Sequence, residues 1–315
     1  MSFKILIPQD ISSGGKNYLL ERGYEISVGT SDQIDLKVVA DYDAILLRTS
    51  LVTKEVLEAA KKLKVIGRYG VGLDNIDLEA CREKGVRVTS APFGNIVSVA
   101  EYTLLMILQC SKNTYAVEKR WRSPQNDFKS RDTHCGFEMT GLTLGIVGAG
   151  KIGSLVAKKV IPALEMKVIA NDPYLPPEKR VDGVTYVNSL NELLEQSDIV
   201  TLHVPLTSET RYMIGREQFI QMKRTAYLIN ASRGSVVKEA DLIDALNDKV
   251  IAGAALDVFE QEPRVWPNPL FEMENVIVSP HIAGMTVNSS DRVGEHAAMG
   301  IDDILSGREP KWPVI

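Results

Sequence analysis

The sequence predicts an α/β protein built from two doubly wound parallel-sheet domains, one inserted in the other. Short apolar runs alternate with helical or turn-rich stretches along nearly the whole chain, the pattern of βαβ units. A glycine-rich strand-to-helix turn near residue 148 opens a second, complete series of such runs. With 315 residues and 44% apolar content, there is chain enough for two cores of ordinary size.

In the first domain, apolar runs at 5–7, 44–47, 64–67 and 86–89 read as buried strands. Residues 95–119 read as one helix whose middle, Leu104 to Leu108, offers no polar face; it is expected to be buried on all sides. A long, polar, basic loop from 121 to 139 follows, carrying Arg122, Lys129 and Arg131. The second series of strands is expected at 144–147, 167–170, 184–187, 199–203, 226–230, 252–258 and 276–278. A final helix at 286–305, stopped by Gly307 and Pro310, is expected to return to the first domain. The boundaries are therefore 1–96 with 288–315 for the outer domain and 97–287 for the domain inserted in it.

The formal charge of −5 is spread without long runs of one sign, so neither a nucleic-acid nor a membrane-surface partner is expected. A small soluble substrate suits this balance. Cys81, Cys110 and Cys135 are odd in number and lack metal-ligand spacing, and the four histidines are dispersed, so neither a disulfide framework nor a metal site is expected. No run reaches the roughly 18 apolar residues of a membrane span, and residues 1–9 pass straight into a strand-like run without a leader. A cytoplasmic protein is expected.

Residues 142–153 read L-T-L-G-I-V-G-A-G-K-I-G. Gly148 permits the tight turn, Gly150 lets backbone approach a pyrophosphate, and Gly153 lets helix and strand pack closely, with Lys151 and Ile152 opening the helix. The helix N-terminus then faces the phosphates. Asp172 ends the next strand, where a carboxylate accepts from both adenosine ribose hydroxyls and repels a 2′-phosphate. No arginine follows it directly, so NAD is the expected cofactor rather than NADP.

Three later strands end in polar strings, N-A-S-R-G at 230–234, A-L-D-V-F-E-Q-E-P at 255–263 and S-P-H-I-A-G at 279–284. Doubly wound sheets bind ligands at those ends. Hydride transfer at a hydroxyl carbon needs a base for the hydroxyl proton, a cation for a substrate carboxylate and a group that sets the base's pKa. His281, Arg233 and Glu262 are the right types. An imidazole gains proton affinity beside a carboxylate, and arginine offers a planar fork that lysine lacks.

These strings, with G-R-Y-G-V-G-L-D-N-I-D at 67–77 and N-I-V-S-V-A-E at 95–101, resemble the D-2-hydroxyacid dehydrogenase family, the group of D-3-phosphoglycerate dehydrogenase, over essentially the full chain. The resemblance implies a Rossmann cofactor domain inserted in a flavodoxin-like substrate domain. By it, His281 is the acid and base, Glu262 its partner, and Arg233 the anchor of the substrate carboxylate and α-oxygen. Asp257 receives the nicotinamide carboxamide. His203, Val204 and Pro205 line the adenine pocket, and Ala231, Ser232, Ala283 and Gly284 complete the cofactor contacts. Gly70, Val71 and Gly72 form a turn that binds the substrate carboxylate, while Arg48 and Arg68 are candidates for a substrate phosphate, making 3-phosphoglycerate the favoured hydroxy acid. A homodimer is implied, built on the helix at 95–119.

Serine feedback through a carboxy-terminal regulatory domain, which longer phosphoglycerate dehydrogenases carry, is not expected of a chain ending at Ile315. The same resemblance leaves open a non-catalytic NAD sensor, a hydroxypyruvate or glyoxylate reductase, and a phosphite dehydrogenase. A formate dehydrogenase is disfavoured by Glu262, which that branch replaces with an amide.

Overall fold

The computed structural model describes residues 2–123, 135–263 and 265–315. Lys129, Arg131 and His134 lie outside the described residues. The chain forms two compact units, one of residues 1–95 with 284–315 and one of 96–283. The second crossing thus falls at Ala283–Gly284, four residues before the 287/288 boundary, because Gly284 packs on Asn95: a Cβ there would stand 3.0 Å from the Asn95 amide.

The first unit holds five parallel strands, β1 (Lys4–Ile7), β2 (Glu25–Val28), β3 (Ala44–Leu47), β4 (Val65–Arg68) and β5 (Arg87–Thr89), in the order β2-β1-β3-β4-β5. That is the flavodoxin-like order. The central β3 reads A-I-L-L with every residue buried, since helices cover both faces. The edge strand β2 is absent from the sequence-based list: only Ile26 and its neighbours Tyr24 and Leu19 tie it to the core, and its exposed Glu25, Ser27 and Val28 leave no apolar run.

On one face of this sheet lie α1 (Ser13–Glu21) and α10 (Val287–Leu305), on the other α2 (Lys54–Ala59) and α3 (Leu78–Lys84). Helix α10 starts where Thr286 caps the Ser289 N–H at 3.1 Å. It meets α1 through Gly294, where a Cβ added at Gly15 would come within 2.7 Å of the Gly294 carbonyl. Replacing either glycine would push the helices apart.

The second unit holds α4 (Ile96–Lys112), α5 (Thr114–Trp121) and seven parallel strands: β6 (Thr143–Val147), β7 (Lys167–Asn171), β8 (Val184–Tyr186), β9 (Ile199–Leu202), β10 (Tyr227–Asn230), β11 (Gly253–Leu256) and β12 (Val276–Val278). Their order is β12-β11-β10-β9-β6-β7-β8. All seven fall where the apolar runs predict them. The order reverses between β6 and β9, the switch point at which such sheets bind ligands. One core packs α7 (Leu190–Gln196), α8 (Arg216–Gln221) and α9 (Glu239–Asn247) on one face. A second core packs α4 and α6 (Lys151–Leu164) on the other.

The helix expected at 95–119 is two helices, broken at Asn113 in the left-handed region at φ 50°. Nor is it buried on all sides. Met106, Ile107 and Cys110 face the sheet, but Val97, Leu105 and Leu108 form an exposed stripe at spacings of eight and three residues. An unbroken apolar run therefore hid an amphipathic division made by packing rather than by polarity.

Candidate active site

The turn from β6 into α6 carries the glycine fingerprint. Gly148 takes φ 88°, and a Cβ there would stand 2.8 Å from the His203 carbonyl. A Cβ at Gly153 would stand 2.2 Å from the Gly148 carbonyl, so helix and turn touch through this glycine. At Gly150 no heavy atom lies within 4 Å of the same position. The space beside the α6 N-terminus is open only at the glycine whose place is to admit a ligand, and no side chain caps that helix end. These residues fit a dinucleotide pyrophosphate.

Asp172 stands just past β7. Its Oδ2 accepts from the Ala149 N–H at 2.9 Å and its Oδ1 from the Tyr174 N–H at 3.0 Å. Each oxygen keeps a lone pair for a ribose hydroxyl. Val204 and the His203 backbone close the turn beneath Gly148, Ile152 packs into the α6 core, and Lys151 is the first residue of the helix. Pro205 is exposed, and Ala231 packs under the same core.

Three neighbouring strand ends then bring Arg233, Glu262 and His281 into one region of the sheet. After β10, the buried Asn230 side chain folds back on its own turn: its Nδ2 donates to the Arg233 carbonyl at 2.9 Å, and its Oδ1 accepts from the Ser232 N–H and hydroxyl at 3.0 and 2.8 Å. Gly234 lets this turn touch the next one, since a Cβ there would overlap the Phe259 carbonyl.

After β11, Asp257 is fully buried. Its Oδ1 accepts from Ser279 Oγ at 2.6 Å and the Ile282 N–H at 2.9 Å, and its Oδ2 from the Ala283 N–H at 2.8 Å. Its carbonyl takes the His281 N–H at 2.7 Å. The carboxylate thus organises the loop that holds His281 at φ 54°, and one acceptor position on Oδ2 remains.

His281 Nδ1 meets Glu262 Oε2 at 2.6 Å, and Glu262 Oε1 accepts from the Phe259 N–H at 3.0 Å. Burial opposes ionisation of Glu262, but the hydrogen bond and charge of His281, the Phe259 N–H and the Arg233 charge outweigh it and hold the carboxyl below its usual range. An ionised carboxylate only accepts, so Nδ1 carries a hydrogen and Nε2 is the ring atom that exchanges a proton with a ligand. The imidazole side chain is 49% exposed, open enough to be reached.

His203 differs. Its Nε2 lies 3.0 Å from Thr201 Oγ1, and burial pushes its pKa down to about 4, so it is neutral. Burial likewise pushes the Cys110 thiol up to about 12 and, with the Asp77 charge, Cys81 to about 11, which makes both poor nucleophiles. Among the described residues no group of three or more His, Cys, Asp or Glu could hold a metal ion.

In the first unit, Gly70 takes φ 133° and its N–H turns back to the Arg68 carbonyl at 2.9 Å, so that amide is already engaged within the turn of Gly70, Val71 and Gly72. Arg68 faces its own loop: Nε donates to the Gly72 carbonyl at 2.7 Å, and Nη1 to the Tyr69 carbonyl. Arg48 Nη1 donates to the Asp10 carbonyl at 3.3 Å. Gly284 lies in this unit, beside Asn95.

With this geometry in place, residues 104–283 match the D-isomer specific 2-hydroxyacid dehydrogenase, NAD binding domain. The chain belongs to the D-isomer specific 2-hydroxyacid dehydrogenase family. It is 41% identical over 310 residues to D-3-phosphoglycerate dehydrogenase of Methanocaldococcus jannaschii, a match covering 96% of this chain and 58% of that protein. It is 40% identical over 286 residues to glyoxylate reductase of Thermofilum pendens, covering 87% of this chain and 82% of that protein. Among solved structures, TT0316 of Thermus thermophilus shares the fold at a TM-score of 0.91 and 33% identity, covering 99% of this chain and 100% of that one. The chain spans little more than half the length of the phosphoglycerate dehydrogenases it matches.

Within this dehydrogenase fold, two residues of the site carry no role in the sequence reading. Asn230 and Ser279 each stand at the end of a short apolar strand, Y-L-I-N and V-I-V-S. A polar residue closing a buried strand, two or three positions before Arg233 or His281, is the signal that marks them.

Proposed function

We propose that this protein interconverts a small D-2-hydroxy acid and its 2-keto acid with NAD, using His281 as acid and base, Glu262 as its partner and Arg233 as the carboxylate anchor. The observation that carries the reading is the 2.6 Å His281–Glu262 pair, beside Arg233 on neighbouring strand ends of a sheet that also bears the dinucleotide turn. The cofactor, when bound, would supply the hydride acceptor as NAD+ or the hydride donor as NADH. In reduction, Nε2 of the imidazolium donates its proton to the keto oxygen; in oxidation the neutral ring takes the hydroxyl proton. Glu262, held ionised, accepts the Nδ1 hydrogen and so fixes the ring's tautomer. Arg233 grips the carboxylate with two parallel N–H groups. Asp172 disfavours a 2′-phosphate, so NAD is preferred over NADP.

The relatives make 3-phosphohydroxypyruvate a candidate keto acid, with Arg48 and Arg68 as its phosphate ligands. A second reading, an unphosphorylated acid such as hydroxypyruvate or glyoxylate, is favoured by the placement of those arginines: Arg68 Nε and Nη1 hold loop carbonyls, Arg48 reaches Asp10, and the exposed Leu51 and Val71 near them are apolar. A panel of 2-keto acids assayed with NADH and with NADPH tests both. Turnover with NADH is expected, and turnover of none would leave a non-catalytic NAD sensor. A phosphate site predicts about a hundredfold higher kcat/KM for phosphohydroxypyruvate than for hydroxypyruvate; equal values sink the phosphate assignment.

The exposed α4 stripe of Val97, Leu105 and Leu108, with Tyr115 and Trp121 of α5, supports a homodimer. No described helix is long and apolar enough to cross a membrane. The three free cysteines suit a cytoplasmic protein.

A further inference from the structure

We propose that Asn230 is the positioning residue for Arg233, setting affinity for the substrate carboxylate without touching substrate. The inference rests on the reading of Arg233 as the carboxylate anchor.

Asn230 ends β10, is 1% exposed, and is tied into the sheet because its carbonyl accepts the Asp257 N–H at 2.9 Å. Its side chain then brackets the two residues that follow its neighbour. The amide's orientation is dictated by its partners. The Arg233 carbonyl can only accept, so it must face the NH2 group; the Ser232 N–H can only donate, so it must face the oxygen. Both ends of one planar group thereby fix the turn, and the Ser232 hydroxyl adds a third bond to the same oxygen. The Ser232 carbonyl, aimed by this bracket, receives Arg233 Nη1 at 2.7 Å. The guanidinium is therefore oriented by a short chain of bonds that starts in a buried, rigid side chain and ends at the fork itself. Gly234 next leans on the Phe259 carbonyl, whose N–H holds Glu262, so the bracket also sets the distance of this turn from the neighbouring one.

Aspartate at 230 has the same shape but presents oxygen to the Arg233 carbonyl, replacing an attraction by repulsion between two acceptors. The test is Asn230→Asp, measured for keto-acid KM and kcat, for NADH Kd and for melting temperature, alone and combined with Arg233→Ala. The expected result is a rise in KM of up to about a hundredfold, the scale of a displacement near 1 Å, with kcat falling far less and NADH Kd within about threefold of wild type. In the Arg233→Ala background, Asn230→Asp should add almost nothing to KM, since the side chain it positions is gone. A KM within twofold of wild type, a parallel loss of NADH affinity, or full additivity with Arg233→Ala overturns the proposal. Should Asn230→Asp fail to fold, Asn230→Ser, which keeps one short polar group, is read by the same three criteria. If Arg233→Ala itself leaves KM unchanged, it is the reading of Arg233 that fails.

Discussion

At Glu262 burial and partnership act in opposite senses, and the partners win: the carboxyl is held below its usual range by His281, the Phe259 N–H and Arg233. Glutamine there keeps the bond from Phe259 but turns an N–H toward Nδ1, which must then accept and cannot be protonated. Glu262→Gln is therefore expected to move the pH optimum for keto-acid reduction downward and to lower kcat by about a hundredfold or more; an unchanged pH profile would disprove the coupling. His203 gives the second pH dependence. Its folded pKa lies at about 4 against an ordinary 6.5, so the native state resists protonation that the unfolded chain accepts. Its contribution to stability is full above pH 6.5 and is lost as pH falls from there through about 4. His203→Asn should flatten the decline of melting temperature over that window, and an equally steep decline would show that another group is responsible.

The β6–α6 element separates two uses of glycine that the motif alone does not distinguish. Gly153 is needed for packing, because its Cβ would stand 2.2 Å from a backbone oxygen, whereas Gly150 faces open space. Gly153→Ala is thus expected to destabilise by about 2 kcal/mol or more, seen as a fall in melting temperature without ligand. Gly150→Ala should leave that temperature within a degree or two while weakening NADH binding about tenfold, by crowding the approach of the pyrophosphate. Equal effects of the two in both measurements would contradict this division. The same element shows what was legible in sequence: G-x-G-x-x-G after an apolar run gives the strand, turn and helix together, because each glycine answers a local steric demand. The break at Asn113 was not legible, since nothing in N-T-Y-A-V-E-K-R forbids a continuing helix.

At the scale of the whole molecule, the exposed apolar stripe on α4 is the surface on which the proposed dimer rests, Leu105 being 44% exposed. Introducing a charge there, as in Leu105→Lys, is expected to shift a dimer at micromolar concentration to monomer, with the near-ultraviolet spectrum of the fold retained; sedimentation velocity reads the change. A wild-type chain that sediments as a monomer would remove the dimer from the account.

The sequence by itself determined the fold class and twelve strands less the edge strand β2, and it singled out the glycine turn with Asp172 and the side chains Arg233, Glu262 and His281 that the proposed function uses. These are legible because they rest on short-range demands: a buried strand must be apolar, a tight turn needs glycine, and proton transfer beside a carboxylate substrate needs those side-chain types. Tertiary structure alone decided how the groups are used. Strand register brings Asn230 beside Asp257 and turns both inward. The His281–Glu262 contact spans the two loops leaving β11 and β12. Arg68, a cation before an anion-binding turn in sequence, faces its own loop carbonyls in space. Residue type sets which bonds a side chain can make, but the choice among available partners depends on backbone groups that lie near it only once the sheet has formed.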